Sequence, residues 1–234
     1  EIGAAEVEKM NEAGVHAIQG CYQSAVGLAA SAAAAKYNIP FSVDVGVSDK
    51  LVQRGLSNVF RMADGYGRIA RDAATNLGEI NRLAGNPAKT VISVHEESEF
   101  GTGTAKLMTE ALKEHNIQVI DTIKHANPTR NFDNVALRIK SAKPDIVMPI
   151  NYPGEYVLLA KTLRQQRVDF MASYSVLGGG FNFKFVESAT IFNVEKIESL
   201  VQSSMLSKLQ TVNCKILIIN SFSIFNEEKL SSVI

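Results

Sequence analysis

Apolar residues recur along the chain in two alternating rhythms. Residues 3–13 place them at helical spacing, 15–19 (VHAIQ) read as a short strand, 24–38 (SAVGLAASAAAAKYN) as a helix and 39–45 (IPFSVDV) as a strand. The alternation continues with a short helix over 48–55 that Gly55 stops, a strand over 58–63 and a long helix over 66–85 ended by Gly85 and Pro87. A second series follows: strand 89–95, helix 101–116, strand 117–125, helix 132–143, strand 144–151, helix 154–168 and a strand over 171–180 that runs into glycines. Strands and helices alternating across short connections are the signature of parallel β-α-β units, so the predicted class is α/β with helices on both faces of a sheet. Ligands in such sheets sit at the carboxyl ends of strands, which directs attention to the segments after residues 19, 45, 95, 151 and 176.

Composition narrows the class of partner. With 234 residues, 46% hydrophobic and 21% charged, the chain is that of a folded globular protein. Lysine plus arginine equals aspartate plus glutamate at 24 each, so the basic excess that a nucleic acid or an anionic membrane would require is missing. No apolar run approaches a membrane span, and the opening EIGAAEVEKMNEAGV reads as an amphipathic helix rather than a signal peptide. That leaves an intracellular protein or a chain lacking its true beginning. After residue 180 the vocabulary changes: all 16 glycines, all six prolines and every arginine lie before it. Within residues 187–234, apolar spacing at Val194, Ile197, Val201 and Leu209 fits a helix, and CKILIIN fits a strand.

The candidate chemistry centres first on GCYQSAVGLAA, residues 20–30, which combines a glycine, a lone cysteine and a serine at the opening of an alanine-rich helix. It can be read as a nucleophile turn, a phosphate loop or an anion cradle. An α/β enzyme using Cys21 would need the helix amides to depress the thiol pKa and a base nearby. His16 is expected inside a strand, His95, His115 and His125 are scattered, and Cys21 and Cys214 match neither a metal nor a redox spacing. The short GxG pieces in GTGTAK and GYGRIA lack the full phosphate-binding patterns and read as turns at helix starts. HEESEFG brings Glu96, Glu97 and Glu99 together, expected as a solvated loop over a strand end, with Phe100 as an apolar member that has something to cover. No catalytic group, metal site or cofactor site is predicted.

Four stretches carry a resemblance: GCYQSAVGLAASAAAAKYNIPF, KLVQRGLSNVFRMADGYGRIARDAA, KTVISVHEESEFGTGTAKLMTEALKEHNIQVI and RNFDNVALRIKSAKPDIVMPINYPGEYVLLAKTLRQ. In this order, across about residues 4–180, the chain resembles the type I periplasmic solute-binding proteins of ABC transporters, in the branched-chain amino acid (Leu/Ile/Val-binding) group. The resemblance implies two α/β lobes of parallel sheets flanked by helices, closing on a small solute. It divides the chain into a partial first lobe over 1–64, a second lobe over 65–186 and a tail over 187–234. It also implies an incomplete first lobe, a location outside the cytoplasm, permease subunits of an ABC transporter as partners, and no cofactor. A ligand-sensing receptor module of the same fold is the alternative.

By the same resemblance, Ser24 and the helix amides around it grip the solute carboxylate, with Tyr22 and Gln23 lining the approach. The physics agrees, because free N–H groups and the helix dipole favour an anion there. A second anchor falls on Gly46, which keeps a backbone contact, and on Val47, which lacks the family's hydroxyl. Phe100 and Tyr152 close over the solute's side chain. The acid that pairs with an α-ammonium should lie near the end of ASYSVLGGG, and no carboxylate is there. A buried ammonium without a partner is costly, so these residues point to a carboxylate with an apolar or aromatic body. Asp44 is the nearby carboxylate able to replace the missing acid and keep amino acids among the candidates.

Overall fold

The computed structural model describes residues 2–177, so the expectations for Gly178–Gly180 and for the tail over 187–234 lie outside the described residues. Two parallel sheets organise the rest. The first runs β1 (Ile18–Gln19), β2 (Phe41–Val43) and β3 (Val59–Arg61) in that order; the second has the order β5-β4-β6-β7, from β4 (Thr90–Glu96), β5 (Gln118–His125), β6 (Ile146–Ile150) and β7 (Ala172–Ser173). Every pairing is parallel, as the alternating pattern requires.

The first sheet is backed by α1 (Ile2–Glu12), α2 (Ser24–Lys36) and α3 (Lys50–Gln53). Alanine is the best helix former, and α2 uses it on its inner face, where Ala30, Ala33 and Ala34 pack with Ile18, Phe41, Val43 and Val59. Gly27 lets the same helix approach the turn before it, since a Cβ there would run into the Cys21 sulfur. The alternation of strand side chains sends Gln19, Ser42 and Phe60 to the opposite face. Gln19 is exposed there and Phe60 is 57% exposed. Parallel strands are ordinarily covered on both faces. Among the described residues, helices cover both faces of the second sheet and one face of the first.

The second sheet separates two buried clusters. Val91, Ile146, Met148 and Ile150 face α4 (Tyr66–Leu83) and α5 (Glu99–Lys113). Ile92, Val94, Ile123 and Val147 face α6 (Asp133–Ala142) and α7 (Pro153–Gln165). Right-handed crossovers explain the split: the chain leaves β4 in one direction through α5 and returns past it through α6. The order therefore reverses between β4 and β6, and the crevice at such a reversal, outside the carboxyl ends, is where open α/β sheets bind ligands. Buried Asn81 braces the entry to β4 by accepting from the Ala88 N–H at 2.9 Å and donating to the Ala88 carbonyl at 2.9 Å. Asp145 ties the starts of β4 and β6 by accepting from Thr90 N–H, Thr90 Oγ1 and Lys89 N–H, each at 2.8 Å.

Candidate functional site

The expected binding residues converge from both sheets. Ser24 opens α2 and is 1% exposed; Gln23, not Ser24, occupies the helix N-cap, and its side chain makes no capping bond. Ser24 Oγ accepts the Ser48 N–H at 3.2 Å, which leaves the serine hydroxyl proton free to donate. The half-buried Tyr152 makes tilted ring contacts with two aromatic neighbours. Its ring centroid lies 5.6 Å from that of Tyr22, in the turn after β1, and 5.3 Å from that of Phe100 on α5. Tilted ring pairs at such distances contribute beyond their buried area. Val47 packs against the buried cluster that contains Phe100, so the position without a hydroxyl is an apolar one.

Several expectations change. Gly46 donates its N–H to the Cys21 carbonyl at 2.8 Å, so that donor is already taken. Asp44 is half-buried and its Oδ1 accepts the Val45 N–H at 2.8 Å. Burial, helped by the Asp44 charge, pushes the Cys21 thiol pKa up, the opposite of what a nucleophile requires. His16 lies on the loop before β1 and is exposed, not inside a strand. Among the described residues no group of three His, Cys, Asp or Glu side chains is placed to hold a metal ion.

HEESEFG is the largest correction. It is not a solvated loop: Glu96 ends β4 fully buried, and Glu99 already belongs to α5, whose first turns contain Phe100 and both glycines of GTGTAK. Glu96 caps that helix, with Oε1 accepting from Gly101 N–H at 2.5 Å and Ser98 Oγ at 2.7 Å, and Oε2 from Ser98 N–H at 2.6 Å. Gly101 is required for this approach, because a Cβ there would strike the Glu96 carbonyl. The Ser98 hydroxyl also bonds the Tyr152 phenol, whose pKa burial and the nearby carboxylates push up to about 12.

Glu99 joins the two sheets. Its Oε1 accepts from Ser48 Oγ at 3.0 Å and from Tyr66 OH at 3.0 Å, while Lys50 Nζ on α3 lies 2.9 Å from Oε2. Ser48, absent from the sequence expectations, is thus the buried hydroxyl next to Val47, and it links the Ser24 side chain to α5. Burial works to raise the Glu99 carboxyl pKa, but bonds from Lys50, Ser48 and Tyr66 outweigh it and hold the group below its ordinary 4.5. A depressed folded-state value contributes stability above the unfolded value, and that contribution is lost as pH falls through the folded one. Urea unfolding of the chain is therefore expected to lose stability below about pH 4.5 more steeply than Glu99→Gln does. Parallel pH profiles for the two proteins would remove Glu99 from this role.

Comparison with known proteins identifies the arrangement. The family model described as "Periplasmic binding protein" matches residues 1–183. The chain belongs to the periplasmic binding protein family. The family is one of binding proteins, which points away from an enzyme. A similar curated relative is Leu/Ile/Val-binding protein homolog 7 of Brucella abortus (strain 2308), 27% identical over 192 residues. That match covers 79% of this chain and 46% of the relative, so this periplasmic binding protein chain spans about half the length of the curated relatives it matches. Its fold is shared by the leucine-binding protein LivK of Thermotoga maritima, with a TM-score of 0.69 and 20% identity over 80% of this chain and 52% of that one. It is also shared by LivJ of Streptococcus pneumoniae, solved with isoleucine, with a TM-score of 0.67 and 21% identity over 83% of this chain and 52% of that one. A solute-binding protein of an ABC transporter from R. palustris, solved with benzoate, gives 0.69 and 17% identity over 88% of this chain and 59% of that one.

Proposed function

We propose that this chain is the solute-recognising part of an ABC importer's binding protein, capturing a small organic acid between a first lobe ending near residue 64 and a second lobe over 65–186. The observation that carries the reading is the meeting of Tyr22, two residues before Ser24 and the start of α2, with Tyr152 and Phe100 from the second sheet. A carboxylate at the α2 N-terminus gains helix N–H groups, the helix dipole and the Ser24 hydroxyl. The three rings and Val47 then supply an apolar enclosure for the body of the solute. Gln23 is exposed beside Tyr22, where it lines the approach.

The solute reaches this chain through that geometry, and neighbours of the same fold were solved with isoleucine and with benzoate. The role supports a location outside the cytoplasm and transporter permease subunits as partners. Among the described residues no helix is long and apolar enough to cross a membrane. Thermal melting of the chain against leucine, isoleucine, valine and benzoate tests the reading. At least one is expected to stabilise the fold, by about 2.7 kcal/mol at 100 times its Kd. A melting temperature unmoved by all four at millimolar concentration would overturn it.

A further inference from the structure

Three consecutive residues, Val47, Ser48 and Asp49, accept hydrogen bonds from one side chain, that of Arg61. It closes β3, and alternation past Phe60 returns its side chain to the face of buried Val59, where 11% of it is exposed. Nη1 donates to the Ser48 carbonyl at 2.8 Å and to the Val47 carbonyl at 3.3 Å, Nη2 donates to Asp49 Oδ1 at 2.8 Å, and Nε donates to the Ala63 carbonyl at 3.0 Å. A guanidinium is a rigid planar fork, so acceptors that meet it this way are held in fixed relation to one another. The start of α4 grips the same loop: Tyr66 N–H donates to the Val47 carbonyl at 2.7 Å and Gly67 N–H to Asp49 Oδ2 at 3.0 Å.

The Val47 carbonyl shares its peptide plane with the Ser48 N–H. A trans peptide is planar and sends its N–H opposite to its C=O, so fixing the carbonyl fixes where the N–H points. Arg61 Nη1 and Tyr66 N–H hold the carbonyl, and the N–H at the other edge of that plane is the one that lies 3.2 Å from Ser24 Oγ. A hydroxyl oxygen that accepts along one direction keeps its proton for another, so the orientation of this plane constrains where Ser24 can donate. Paired with Asp49, the guanidinium is not a bare cation awaiting an anion, and its contribution is one of geometry.

We propose that Arg61 is a positioning residue for the solute: it sets the Val47–Ser48 peptide plane and, through it, the direction of the Ser24 hydroxyl. The assignment rests on the reading of Ser24 as the carboxylate donor. It extends the recognition machinery to the end of β3, through backbone that substitution of the Ser48 side chain leaves in place.

Arg61→Lys keeps the charge and much of the stem, but a single ammonium cannot span Val47, Ser48 and Asp49 together. Calorimetric titration with leucine, isoleucine, valine and benzoate is expected to show about fivefold weaker binding of whichever of them the unaltered chain takes up, and a loss of less than about twofold when Ser24 is already alanine. In the free chain, hydrogen exchange at the Ser48 amide should be at least about tenfold faster in Arg61→Lys, while the amides of β4 keep their protection. Unchanged affinity, an equal loss with and without the Ser24 hydroxyl, or an unaltered Ser48 amide would each overturn the role of Arg61 and leave the solute-binding reading standing. If none of the four binds the unaltered chain, that reading falls and takes this role with it.

Discussion

Glu96→Ala is expected to be among the most damaging single changes in the described chain, lowering folding free energy by about 3–5 kcal/mol in urea unfolding. The carboxylate is fully buried and receives two backbone N–H groups and one hydroxyl. Removing it strands Gly101 N–H and Ser98 N–H at the start of α5, where orphan helix donors already need an acceptor. Each buried donor left unpaired costs about 1–3 kcal/mol, and loss of a cap contributes in the same range. Glu96→Gln keeps one acceptor oxygen and should cost about half as much. A loss below about 1 kcal/mol for the alanine variant would mean that the freed donors find other acceptors and that Glu96 is not what holds the turn.

Ser24→Ala should weaken binding of a carboxylate solute by about 1.5–3 kcal/mol, roughly 10- to 150-fold in Kd, the range for a hydrogen bond to a charged group. The hydroxyl is the side-chain donor at the α2 N-terminus, and its oxygen is held in place by the Ser48 N–H. The helix amides remain in the variant, so binding is weakened and not abolished. Ser48→Ala is the control. It removes a donor to Glu99 and leaves the Ser48 N–H on Ser24, so affinity should stay within a few-fold while stability drops. Calorimetry on both variants with the solute found in the melting screen separates the roles. Unchanged affinity in Ser24→Ala would place the carboxylate elsewhere.

The regular elements were readable because their rhythms are strong: every described strand and helix falls on a segment that the apolar spacing marks, within a few residues at its ends except for β7, which holds only Ala172–Ser173 of the strand expected over 171–180. The errors fall where side chains, not periodicity, decide. Glu96 continues the inward set Ile92 and Val94, and its charge alone suggested solvent. Read by alternation, it belongs to the buried face, and so do His125 and Asn151. The helix after β4 begins at Glu99 because Glu96 folds back to cap it, a contact between a strand end and a helix start that spacing does not encode. Ser48 carries no local signal, because its hydroxyl matters through Glu99, which is 51 residues away. Cys21 read as a candidate nucleophile because a turn before a helix ordinarily favours a thiolate, yet burial and Asp44 act against it.

One helix carries more than its length suggests. Within its first turn α5 holds Glu99, which is bonded to Ser48, Tyr66 and Lys50, and Phe100, which is stacked on Tyr152; Glu96 anchors its start. A helix moves as a rod, so a shift of α5 away from the first sheet breaks the ion pair and opens the aromatic wall in the same stroke. For a bound solute this makes escape a single concerted event rather than a sequence of small loosenings. Residence time is then set by the barrier to that stroke, and changes at the Glu99 side chain, which bonds Ser48, Tyr66 and Lys50 rather than the proposed wall, should be felt first in the dissociation rate.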